Sequence, residues 1–95
     1  MILEEFKNDV AKQAKANVEI LIKKHEDYGP LNISHSPGGP LNGLRVRMHD
    51  KLARINHLID SGKDPENEAL IDSFLDLANY AVIAQLVINN KWPDK

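Results

Sequence analysis

The sequence predicts an all-α domain of three helices with a long Gly/Pro-rich loop between the first two, assembling as a homo-oligomer. Three observations carry that prediction. Apolar residues recur at spacings of three and four over three long stretches, Gly and Pro gather between the first two, and the third stretch is apolar on every side. Ninety-five residues make one domain, 1–95, with no room for a second core.

The first helix is expected over 2–28. Leu3, Phe6, Val10, Ala14, Val18, Leu21 and Ile22 form its stripe, with Lys and Glu elsewhere. Gly29 suits a left-handed cap, and Pro30 cannot continue the helix. A loop over 29–42 follows, and Asn42 is the expected N-cap of a second helix over 43–60. That helix carries Leu44, Met48, Leu52, Ile55, Leu58 and Ile59. Ser61-Gly62 breaks it. Asp64 as N-cap and Pro65 at the first helical position open a third helix over 65–89.

Between Phe74 and Ile88, eleven of fifteen residues are apolar. A helix apolar all round is buried all round, and two partner helices cannot surround it. The third helix is therefore expected to meet copies of itself in a homo-oligomer.

Composition narrows the partners. Twelve Lys and Arg against fourteen Asp and Glu leave a net charge of −2, so no global field draws the chain to duplex nucleic acid or to a membrane. The longest apolar stretch, Ala81 to Ile88, is interrupted by Gln85 and is too short to span a bilayer. The absence of cysteine excludes a disulfide framework and thiolate metal sites. The N-terminus carries Glu4 and Glu5 where a secretory signal carries Lys or Arg, which points to the cytoplasm.

The segment from Gly29 to Gly43, GPLNISHSPGGPLNG, holds four of the five glycines and three of the five prolines. A loop of that length in a small domain is usually functional or disordered, and Leu31, Ile33 and Leu41 pin this one to a core. Just beyond it stand Arg45 and Arg47, where the positive end of a helix normally attracts acids. Two guanidinium groups at a helix N-terminus after Gly38-Gly39 suit an anion such as phosphate. Arg47, Lys51 and Arg54 continue as a basic stripe. The expected ligand-binding set is Tyr28, Asn32, Gly38, Gly39, Asn42, Arg45, Arg47 and Lys51, with Tyr28 placed to stack on a base. The bland reading is that these cations face solvent or pair with acids of the third helix.

Those acids are Glu68, Asp72 and Asp76, in one line with Asn79. Asp76 and Asn79 sit in a strongly apolar stretch and need partners, which Arg47, Lys51 or Arg54 can supply. Alternatively the carboxylates hold Mg²⁺ over substrate phosphates. His25, His35, His49 and His57 show no i, i+4 zinc pairing. His49-Asp50 matches only the two-residue signature of His-Asp phosphohydrolases, whose other ligands this chain lacks. No Walker loop, nucleophile elbow or dinucleotide fingerprint is present.

The stretches HEDYGPLNIS, GGPLNGLRVRMHDKLARINHLID and ENEALIDSFLDLANYAVIAQLVI carry a resemblance over roughly residues 20 to 92. They resemble small phage and prophage proteins of the nucleotide modification associated domain 1 family. That resemblance implies a phage context, a nucleotide ligand and the host cytoplasm. More distantly the chain is similar to all-α nucleoside triphosphate pyrophosphatases of the MazG type, which hold Mg²⁺ with two acidic pairs on successive helices. That likeness implies Asp50, Asp72 and Asp76 as catalytic candidates and Glu26, Asp72 and Asp76 as metal ligands. Asp72 and Asp76 are spaced by four, where the pyrophosphatases space the pair by three. The expected function is therefore capture, without a cofactor, of a linear or cyclic nucleotide, such as a bacterial antiviral signal, in pockets between subunits. An Mg²⁺-dependent pyrophosphohydrolase is the first alternative and a structural module the second.

Overall fold

A computed structural model describes residues 2–61 and 67–95. Helices are the regular structure of the described residues, joined by short turns, with no strand among them. The elements are α1 (Leu3–Tyr28), α2 (Leu31–Ser34), α3 (Pro40–Asp60) and α4 (Asn67–Ile88). The long helices match the three- and four-residue spacing of their apolar side chains.

Two expectations are corrected. The region between the first two long helices is not all loop, because Leu31–Ser34 winds one helical turn. The carbonyl of Pro30 accepts the N–H groups of Ile33 and Ser34. Ile33 is buried and anchors the turn, giving four helices among the described residues. The following helix starts at Pro40 rather than at position 43, with Gly39 and not Asn42 at the N-cap. Gly38 and Gly39 have φ of 80° and 96°, which reverses the chain at low steric cost. Proline's fixed φ then suits the first helical position, so Leu41 and Asn42 are already helical.

Helix α1 ends as expected. The N–H of Gly29, at a φ of 70°, caps the carbonyl of His25 at 2.8 Å. At the other end of the chain α4 closes in a Schellman motif. Asn90 takes a φ of 58°, and the N–H groups of Asn90 and Lys91 bond the carbonyls of Val87 and Leu86. The expected start of this helix at Asp64 and Pro65 lies outside the described residues.

Helices α3 and α4 pack against one another as an antiparallel pair, whereas α1 meets α4 over a short stretch only. The buried apolar side chains are Ile33, Leu44 and Ile55, and α1 contributes no fully buried residue. Ala69–Ile88 of α4, 20 residues at a mean hydropathy of 1.4, has the length and composition to cross a bilayer. The continuous run Ala81–Ile88 did not reveal this, because a window average tolerates the polar side chains that interrupt it. Two of those, Asp76 and Asn79, are bound to α1 within the protein.

Candidate functional site

The C-terminal half of α1, the α2 turn, α3, α4 and Trp92 enclose a cleft of about 320 Å³. Asp76 lines it, on the face of α4 that looks toward both α1 and α3. A lone carboxylate on an apolar helix is costly to bury unless cations meet it. Here two do. The Lys24 Nζ donates to Asp76 Oδ1 at 2.7 Å, and Lys51 Nζ stands 2.9 Å from Oδ2. Each carboxylate oxygen thus has its own ammonium, one from α1 and one from α3.

The charges respond to that arrangement. Burial pushes the Asp76 carboxyl up, but the hydrogen bonds from Lys24 and Lys51 outweigh it and hold the group below its usual range. The bond to Asp76 raises the Lys24 ammonium above its ordinary value, against the opposing pull of burial. One turn beyond Asp76, the buried Asn79 donates its side-chain amide to the Asn17 carbonyl of α1 at 3.0 Å. These two contacts tie α1 to α4.

Aromatic groups wall the other side. Tyr28, 72% exposed, stands at the lip, and Tyr80 lies farther in on α4. Trp92 packs edge-on against His25, with ring centroids 5.0 Å apart, and its indole N–H reaches the Pro30 carbonyl at 3.2 Å. The Ser34 hydroxyl donates to the Pro93 carbonyl, fastening the C-terminal segment over α2. His25 Nδ1 is buried at this wall with no hydrogen-bond partner.

The expected ligand residues divide in two. Tyr28, Asn32 and Lys51 line the cleft, whereas Gly38, Gly39, Asn42, Arg45 and Arg47 do not. Both arginines are engaged by the chain itself. Arg47 donates to the Asn32 carbonyl at 3.0 Å and to the Ser36 hydroxyl at 3.3 Å, so it staples the loop to α3. Arg45 donates to Asn42 Oδ1 at 2.6 Å, and the Asn42 amide in turn donates to the Pro37 carbonyl. Of the cations expected to answer Asp76, Lys51 does so.

The acids named for a metal also divide. Asp76 faces the cleft, whereas Glu26, Asp50 and Asp72 are exposed and do not line it. Among the described residues, no three His, Asp or Glu side chains converge as a metal ion requires. Sequence reasoning missed Lys24, His25 and Trp92. Lys24 was hidden because its partner lies 52 positions away, although Asp76 in an apolar helix signalled that a cation had to reach it.

Comparison with known proteins identifies no match: no family model, curated protein or solved structure aligns with the chain.

Proposed function

We propose that the protein binds a phosphate-bearing small molecule, a linear or cyclic nucleotide, in this cleft and acts by capture. One observation carries the reading: two ammonium groups converge on a single carboxylate in the lining of a cleft that also holds Tyr28, Tyr80 and Trp92. The Asp76 carboxylate already occupies the place where an anion is held. A phosphate has more charge and more acceptor oxygens, and it can share or take over the same donors. Tyr28 and Trp92 offer faces and edges to a base, and a volume of about 320 Å³ lies within the range of small-molecule sites. The residues named here all come from one chain, which supports a site within the subunit.

Capture is preferred over hydrolysis because the cleft's carboxylate is neutralised by lysines and its companion acids point elsewhere. Calorimetry with a panel of linear and cyclic nucleotides, with and without Mg²⁺, tests the proposal. Binding should survive EDTA, weaken about tenfold or more in Lys24→Ala and in Lys51→Ala, and return the ligand intact after heat denaturation. No binding at millimolar nucleotide refutes capture. Pyrophosphate release that stops with EDTA or with Asp72→Asn would establish the hydrolase instead.

A further inference from the structure

The N-terminal half of α1 stands apart from the rest of the molecule. From Leu3 to Ala16 every side chain is exposed, including Leu3, Phe6 and Val10, and the stripe they begin stays exposed at Val18 and Ile22, with Leu21 half-buried at the cleft. On α4 a second apolar face is uncovered: Ile71, Phe74 and Val82, with Ala78 between them, at spacings of three and four. Phe6 is 52% exposed and Phe74 50%.

Two size measures show how much surface is missing a partner. The accessible surface is 7193 Å², whereas a compact monomer of this mass exposes about 5,500 Å². The radius of gyration is 15.3 Å, whereas a compact domain of this length has about 12 Å. The excess, roughly 1,700 Å² per chain, is about twice what each partner hides in a standard interface. It fits an obligate pairing of identical chains, whose interfaces are larger and more hydrophobic.

We infer that two copies of this chain pair by reciprocal arm exchange, the α1 segment 3–16 of each lying across the Ile71–Phe74–Val82 face of the other's α4. A two-fold axis makes every such contact occur twice, so one arrangement covers both faces of both chains. Pairing α1 with α1 would leave the α4 face in water. This inference is independent of what the cleft binds.

The chain has no cysteine, so introduced thiols report the contact directly. Sedimentation of the full chain should give twice the 10.7 kDa chain mass, and Phe6→Glu should shift it toward one chain while far-ultraviolet dichroism keeps its helical signature. Under mild oxidation, Val10→Cys with Val82→Cys in one chain should form a linked dimer on a denaturing gel, whereas Val10→Cys alone should not. Because that pair leaves the rest of the chain unchanged, it remains decisive if Phe6→Glu fails to fold. A wild-type chain that sediments as a monomer overturns the inference. So does a dimer linked through Val10→Cys alone, or a monomer that leaves solution only with phospholipid vesicles, which would give the apolar faces to a bilayer.

Discussion

The two halves of α1 share a helix and an apolar period, yet they live in different surroundings. Beyond position 16 the helix is tied to its own chain by Asn79 on the Asn17 carbonyl, by Asp76 on Lys24 and by Trp92 against His25. Before position 17 the same pattern of Leu, Phe and Val meets nothing. An amphipathic period specifies that a face will be buried, but not by whom. The specific polar partners on α4 decide which half is anchored within the chain; Val18 and Ile22 stay exposed even there, and the uncovered apolar side chains are left to another surface.

Breaking the tied half is expected to cost the most. Trp92→Ala removes a half-buried ring, its edge contact with His25 and the hydrogen bond to Pro30, and should destabilise by roughly 3 kcal/mol in chemical denaturation. Asp76→Ala leaves Lys24 and Lys51 facing one another without their shared counterion. A loss of about 2 kcal/mol is expected. The isosteric Asp76→Asn should at the same time bind inorganic phosphate more tightly, because the ammonium groups are released. A phosphate affinity that falls instead would separate the lysines from the ligand site.

The ion cluster also predicts a pH window. Asp76 titrates below its usual 3.8, so its stabilisation is present above that value and is lost as pH falls through the lower folded value. Lys24 titrates above its usual 10.5, so its stabilisation is present below that value and is lost as pH rises through the higher folded one. Melting temperature against pH should therefore hold between the two limits, and Asp76→Asn should flatten both flanks. Smaller effects follow at the loop. Arg47→Ala removes the staple to Asn32 and should cost about 1 kcal/mol. Arg45→Ala, whose exposed side chain meets Asn42, should stay within about 0.5 kcal/mol and leave nucleotide affinity unchanged. A large loss of affinity in Arg45→Ala would return the ligand to the start of α3.

The three long helices were legible because spacing of three and four over twenty residues has few other readings. The α2 turn was not, since four residues with one buried Ile33 show no period. Gly38, Gly39, Arg45 and Arg47 read equally well as an anion cradle or as a loop fastened to a helix. Only the position of the Asn32 carbonyl, which no local pattern encodes, separates the two. The cleft was half legible. Asp76 and Asn79 announced that partners were needed, and Lys51 was among those foreseen. Lys24, His25 and Trp92 come together through long-range contacts that spacing along the chain does not reveal.

The antiparallel α3–α4 pair is joined through a short connection, while the cleft links positions 21 to 33 with positions 76 to 92. Short loops close at smaller entropic cost than long ones, so the hairpin should form early and α1 should dock late. Native-state hydrogen exchange should show the reverse order on opening, with amides of α1 exchanging before those at the α3–α4 seam. A pocket whose walls part before its scaffold unfolds can admit and release a ligand without crossing the global unfolding barrier.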